Sequence, residues 1–384
     1  MFDIFDESTE ALRASVREFA SDQLASGYIE RAASSDFPWK EVRALAEMGL
    51  LGIGIPAQYG GAGVGENDSL NLGVCAEEVG GADINTGFAL VMSGLTGRLL
   101  SEHAPPALAQ AWIPRMVSGD CVVGFGLSEE GHGSDAASLE TQAVRTSGGY
   151  SITGVKNSVT ALSVADATIV FARIRGEKGV SAFLVPTDTV GVSRGIYNDM
   201  GCRPLGRGTL YLDDVHIPSG NLIGQEGRAF REIMRGFDLS RVLISLMVLS
   251  CANSSLVEAS RAATSRRAFG SALSKWEGIS FPMAEHHTFI QGARGLAYQA
   301  LWKRDRSTPH SKEAAMAKWW STDIAIDAIR TCMNVQGHGS YSDELPDQFR
   351  LRDVMGYVLA DGSPEIMKIV VAREAYGREF VPYI

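Results

Sequence analysis

The residues able to do chemistry in this chain fall in five short segments: 127–135 (LSEEGHGSD), 154–160 (GVKNSVT), 237–241 (FDLSR), 265–270 (SRRAFG) and 352–366 (RDVMGYVLADGSPEI). A carboxylate followed by glycine, as at Asp361-Gly362, can serve as a general base or simply cap a helix. Asp238 and Arg241 stand three apart, the spacing of an ordinary surface ion pair on a helix. The Gly133-Ser134-Asp135 run makes either a plain turn or a loop whose backbone N–H groups suit an anion. Ser128, His132 and Asp135 have the residue types of a hydrolytic triad, but a triad is a spatial constellation and local spacing is poor evidence for one. Adjacent histidines on a helix point about 100° apart, so His286 and His287 suit solvated or capping roles better than a metal pair. No G-x-G-x-x-G opening a helix after a strand, no G-x-x-x-x-G-K-[ST] and no G-x-S-x-G nucleophile elbow occurs. Cys75, Cys121, Cys202, Cys251 and Cys332 are widely scattered, without C-x-x-C or Cys/His ligand spacing. Neither a disulfide framework nor a metal site is expected from them.

The elements that must position these segments form three zones. With 384 residues, 45% hydrophobic and 21% charged, the chain has ample core for two or three soluble domains. A net charge of −10 argues against a nucleic-acid partner. The longest apolar run, 242–252, is far short of the roughly 20 residues of a membrane span, so no membrane association is expected. The acidic N-terminus has no signal-peptide pattern, and the scattered cysteines suit a reducing compartment, so a cytoplasmic location is expected. Apolar spacing predicts helices over 8–24, from Pro38 to Gly49, 68–100 and 105–117, with a Gly-rich loop at 55–65. From Cys121 the segments become short and β-branched: 121–127, 139–145, 150–159, 168–173, 182–186 and 210–217, separated as in a small barrel or sandwich. Long helices then follow at 229–267, 279–304, 311–335 and 364–380, with a loop at 337–346. The expected fold class is α+β: an N-terminal helical domain (1–120), a middle β domain (121–228) and a C-terminal helical bundle (229–384).

Taken together and in this order, the segments resemble those of the acyl-CoA dehydrogenases, FAD enzymes with that same three-part plan and a C-terminal four-helix bundle. The resemblance covers essentially the whole chain. It rests on YGGAG (59–63), LSEEGHGSD, DDVHIP (213–218), FDLSR, RRAFG and RD…DGSPEI. It implies α,β-desaturation of an acyl thioester, with an electron-transfer flavoprotein as acceptor and a homo-oligomer, commonly a tetramer.

The resemblance also implies roles for individual residues. Phe125, Leu127, Ser128, Ser158 and Ser363 would lie against the flavin. Gly133, Ser134 and Asp135 would shape the loop near the cofactor phosphates and the pantetheine channel. Thr160 would hydrogen-bond flavin N5. Arg266, Phe269, Gln336, Gly337 and Gly339 would reach the FAD of a neighbouring subunit. Asp238 would contact pantetheine, while Arg241, Ala360 and Gly362 would line the site beside the base. The base falls at Asp361, where most relatives carry glutamate. Aspartate is one methylene shorter and reaches about 1.5 Å less far. The position used for the base in some other relatives holds Ser240, which cannot act as one. Two further departures remove volume: Ala360 replaces a bulky aromatic and Ser158 replaces a tryptophan. More room with a shorter base resembles the dehydrogenases of cyclohexanecarboxyl-CoA-type thioesters. Glu277 and His338 also depart from the family's glutamine and glycine. Two alternatives are a substrate tethered to an acyl-carrier protein and a flavin-binding homologue without desaturase activity.

Overall fold

The structure, a computed structural model, describes residues 4–381, with backbone alone for 231–235. The first helix, α1 (Glu7–Phe19), begins at Asp6, whose carboxylate accepts from the Thr9 N–H and satisfies one of the orphan donors of the first turn. Helices α2 (Tyr28–Ala33) and α3 (Trp39–Glu47) precede the Gly-rich loop. The single helix expected over 68–100 is instead interrupted. α4 (Asp68–Ala82) stops at Asp83, which takes extended backbone and caps α5 (Ile84–Met92) by accepting from the Asn85 and Thr86 N–H groups. α5 then passes through a π-helical turn at Ser93–Gly97 into α6 (Arg98–His103), and α7 (Pro106–Val117) follows. A buried aspartate with two backbone donors stabilises a break that apolar spacing does not reveal.

The middle domain is an eight-stranded sheet. Its strands are β1 (Val123–Gly126), β2 (Gln142–Thr146), β3 (Gly149–Val159), β4 (Ala167–Ile174), β5 (Ser181–Pro186), β6 (Val192–Ile196), β7 (Gly208–Pro218) and β8 (Leu222–Ile223). They run in the order β6-β7-β3-β2-β4-β5-β8, with β1 beside β4. β4 is buried on both faces. Ile169 and Phe171 join the core shared with α7, while Val170 and Ala172 join the core closed by β3 and β7. The expected strands all occur, and β6 and β8 are additional. β6 is an edge strand whose residues are mostly exposed, so no apolar alternation marks it.

The C-terminal bundle is built on α8 (Ala229–Ser265), with a two-stranded hairpin of β9 (Arg267–Ala268) and β10 (Ser271–Ala272) leading into α9 (Glu277–Asp305). α10 (Ser311–Gln336) and α12 (Pro364–Tyr376) match the expected helices. α11 (Asp347–Leu359) was not expected: its buried side presents Asp347, Arg350 and Asp353 among the apolar residues, so hydrophobic periodicity is masked. Over 236–265, α8 is long and apolar enough to cross a membrane. Most of that stretch is buried against α4, α9 and α10, as befits the central helix of a bundle.

All three zones meet at Asp353. Its carboxylate accepts from the Tyr28 hydroxyl at 2.9 Å, the Asn85 amide at 2.8 Å and the Cys202 N–H at 2.6 Å. Burial pushes this carboxyl up to about 6, against those hydrogen bonds.

Candidate active site

The turn between α11 and α12 carries the candidate base. Asp361 has φ 54 and Gly362 φ 104, two successive residues in backbone that favours glycine. Aspartate tolerates this region better than most residues, at a cost of about 1 kcal/mol. Neighbouring side chains hold the turn. The Arg241 Nε donates to the Asp361 carbonyl at 2.9 Å, and the Ser240 hydroxyl donates a short hydrogen bond to the Asp361 carboxylate. Ser363 caps α12 by accepting from the Ile366 N–H at 3.4 Å, so its hydroxyl already has a structural use. Ala360 and Gly362 are half-buried beside the base.

One turn of α8 supplies the opposite wall. Asp238, Ser240 and Arg241 are all buried. Arg241 Nη1 donates to Asp238 at 3.0 Å, and the Ser311 hydroxyl at the start of α10 also donates to Asp238. The pair expected to lie on a surface is therefore interior, because α8 runs through the middle of the molecule. The Arg241 guanidinium stands 5.5 Å from the Phe237 ring centre, and Phe237 meets Phe125 edge-on at 5.4 Å. That contact joins β1 of the middle domain to α8, whose Arg241 bonds the base turn.

The loop after β1 is fixed by a residue that apolar spacing and motif matching did not single out. The Glu129 carboxylate accepts from Lys156 Nζ at 2.6 Å, from the Thr141 N–H and hydroxyl, and from the Glu140 N–H. Burial alone would raise this carboxyl; the hydrogen bonds outweigh it and hold it down to about 2. Burial pulls the wholly buried Lys156 ammonium down to about 8 while Glu129 opposes, so the pair is ionic at neutral pH. Tethered in this way, Gly133, Ser134 and Asp135 stand exposed, and a Cβ at Gly131 or Gly133 would meet nothing within 4 Å. Leu127 is buried and offers backbone only; its carbonyl accepts from Lys156 at 3.2 Å. The Ser128 carbonyl accepts from the Asn157 N–H at 2.8 Å, which brings the loop to the end of β3.

Thr160 lies just beyond β3 between two positive-φ residues, Ser158 (φ 60) and Ala161 (φ 58). Its side chain is half-buried, and its hydroxyl has no hydrogen-bond partner among the described residues. Ser158 is exposed and accepts from Arg207 Nη1 at 3.1 Å; Arg207 is also paired with Asp199. FAD, the cofactor that the resemblance implies, needs such a donor set: unspent hydroxyls at Thr160 and Ser128, an aromatic at Phe125 and an open glycine loop for phosphates. These residues fit the group.

A second cluster forms at the far end of α8. Arg266 Nη1 donates to the Gln336 carbonyl at 3.2 Å, and a Cβ on Gly337 (φ 76) would approach that nitrogen to 2.7 Å. Phe269 is 94% exposed with its ring 6.3 Å from Trp276, and Gly339 is exposed nearby in sequence. The structure thus brings Arg266, Gln336 and Gly337 together but away from Asp361. Phe237 and Arg266 are separated by 29 positions of one helix, roughly 40 Å at the α-helical rise. His286 departs from the solvated role expected of it: it is partly buried and bonded to the Thr331 hydroxyl at 2.9 Å. Among the described residues no His, Cys, Asp and Glu cluster could hold a metal.

A helical domain, a β domain and a helical bundle that meet at Asp353, with a carboxylate turn between the last two long helices, define a class. Residues 6–120 match the N-terminal domain of the acyl-CoA dehydrogenases, 124–215 the middle domain and 227–376 the C-terminal domain. The mitochondrial short-chain specific acyl-CoA dehydrogenase of Mus musculus is 32% identical over 371 residues, covering 95% of this chain and 89% of that protein. A probable acyl-CoA dehydrogenase of Bacillus subtilis (strain 168) is 30% identical over 95% of this chain and 97% of its own. The structure of butyryl-CoA dehydrogenase from Megasphaera elsdenii superposes with a TM-score of 0.90 at 26% identity, covering 96% of this chain and 98% of that one. The chain belongs to the acyl-CoA dehydrogenase family and is an oxidoreductase.

Proposed function

We propose that this protein is an FAD-dependent dehydrogenase that forms the α,β double bond of an acyl-CoA thioester, with Asp361 removing the α proton. The observation that carries the reading is the held carboxylate. A turn with two positive-φ residues aims Asp361, Arg241 fixes its carbonyl and Ser240 orients its side chain. FAD supplies the hydride acceptor for the β carbon. The Asp361 N–H has no acceptor among the described residues and is suited to hydrogen-bond the thioester carbonyl, where it would stabilise the charge that develops as the proton leaves. Asp238, which accepts from Ser311, would meet the pantetheine arm. Phe125 and Phe237 pack the wall and exclude water.

We read the acyl group as bulky or alicyclic, of the cyclohexanecarboxyl type. Three residues support this. Ala360 is small, Ser158 leaves space where relatives carry tryptophan, and Asp361 requires the α carbon to approach more closely. The cluster of Arg266, Gln336 and Gly337 lies farther from Asp361 than a single dinucleotide extends. It suits the FAD of a second copy, so the enzyme works as a homo-oligomer, with an electron-transfer flavoprotein taking the electrons onward. Straight, branched and cyclic acyl-CoAs tested for anaerobic flavin bleaching would check this. Fastest bleaching by cyclohexanecarboxyl-CoA is expected. Reduction solely by carrier-protein thioesters would move the substrate to that carrier, and bleaching by none would leave a flavin-binding homologue.

A further inference from the structure

One buried cation has no part in the reading above. Lys318 sits in the middle of α10 with no exposed surface. Removing an ammonium from water is costly unless the site solvates it in return. Lys156 solves this with Glu129 at 2.6 Å, whereas Lys318 forms no ion pair among the described residues. Its Nζ donates instead to the Tyr357 carbonyl at 2.8 Å and the Gly362 carbonyl at 3.5 Å.

Those two carbonyls bracket the base. Tyr357 lies in the last turn of α11, where backbone carbonyls lack intrahelical partners and carry partial negative charge. Gly362 directly follows Asp361. One ammonium therefore bridges the stretch in which the chain leaves α11 and enters the positive-φ turn. The anchor is itself fixed: the Tyr357 hydroxyl donates to the Ile84 carbonyl at 3.3 Å, and its ring packs 5.9 Å from Phe88. Arg241 holds the Asp361 carbonyl from α8, so two helices grip the turn. The charges acting on Lys318 are Asp361, Arg241 and Asp323, and burial brings its ammonium down to about 8, which leaves it largely cationic at neutral pH.

We propose that Lys318 is the positioning residue of the base: its buried ammonium, bonded to carbonyls on either side of Asp361, fixes the turn that aims the carboxylate at the substrate's α carbon. The inference rests on the reading of Asp361 as base. A base misplaced by about 1 Å costs on the order of 100-fold in rate while leaving substrate contacts elsewhere intact.

The test uses FAD-loaded full-length enzyme and cyclohexanecarboxyl-CoA. Lys318→Met keeps the volume and removes the ammonium, which leaves the Tyr357 and Gly362 carbonyls without that donor. It should retain flavin and bind the thioester within about threefold of wild type, yet bleach about 100-fold more slowly. The deuterium isotope effect at the α carbon should rise, because proton removal becomes more fully limiting. Lys318→Arg, which keeps a cationic donor, should recover about tenfold of the loss. Should the methionine variant purify without flavin, Lys318→Gln, which keeps an N–H donor, carries the same comparison. Wild-type bleaching beside an equally fast Lys318→Met overturns the inference alone. So does a rate loss matched by weakened binding with no change in isotope effect. A wild type that bleaches with no acyl thioester overturns the desaturase reading and the inference with it.

Discussion

At the scale of single residues, the carboxylate proposed as the base is held by a hydroxyl. The Ser240 hydroxyl donates a short hydrogen bond to the Asp361 carboxylate. A hydrogen bond to a charged group is worth about 1.5 kcal/mol or more, close to tenfold in rate. Ser240→Ala is therefore expected to slow anaerobic flavin bleaching about tenfold with flavin content unchanged, as rapid mixing would show. Arg241 is a second such residue. Its guanidinium serves the Asp361 carbonyl through Nε and Asp238 through Nη1 together, a geometry that one ammonium cannot reproduce. Arg241→Lys should lower the bleaching rate more than Ser240→Ala does, and unchanged turnover would remove Arg241 from the turn's support.

At the scale of elements, the loop after β1 depends on one carboxylate. Its hydrogen bonds hold the Glu129 carboxyl down to about 2 in the fold, against 4.5 for an ordinary glutamate. A group whose folded value is depressed contributes stability that is present above the unfolded value and is lost as pH falls toward the folded one. Thermal stability should therefore decline as pH falls from about 4.5 toward 2, and Glu129→Gln should flatten that part of the profile while weakening FAD retention at neutral pH. An identical acid profile in the variant would dismiss the Glu129 tether as a stabilising feature. The same elements show what the sequence could disclose. Strands β3, β4 and β7 and helices α8 to α10 were legible because burial on one or both faces writes a period into the residue order. α11 was hidden by Asp347, Arg350 and Asp353 on its buried side, and β6 by its exposed edge. The break at Asp83 is made by a side chain accepting from the backbone N–H groups two and three residues ahead, which no period records. Within the site, Asp361, Asp238 and Arg241 were legible through motif order. Glu129, Lys156 and Lys318 were not, since a charged residue that will be buried wholly or in part looks, along the sequence, like one on the surface.

At the scale of the whole molecule, the length of α8 separates the Asp361 turn from the cluster of Arg266, Gln336 and Gly337, and the proposed shared site follows from that separation. Arg266 and Phe269 stand exposed at the far end of α8, and the Phe269 ring is 94% accessible. A large exposed aromatic beside a guanidinium is the composition of a buried subunit contact. The purified protein is expected to sediment as a dimer or tetramer. Arg266→Ala should lower flavin content per chain without altering the fold, read from the ratio of visible to ultraviolet absorbance. A monomer with full flavin would contradict the shared site.

The most direct measurement concerns Asp361 itself. FAD-loaded Asp361→Asn would be mixed anaerobically with cyclohexanecarboxyl-CoA beside wild type, and the flavin absorbance followed. The account predicts that the variant binds the thioester but bleaches at least about 1000-fold more slowly, within the range a general base contributes. Bleaching at the wild-type rate would contradict it.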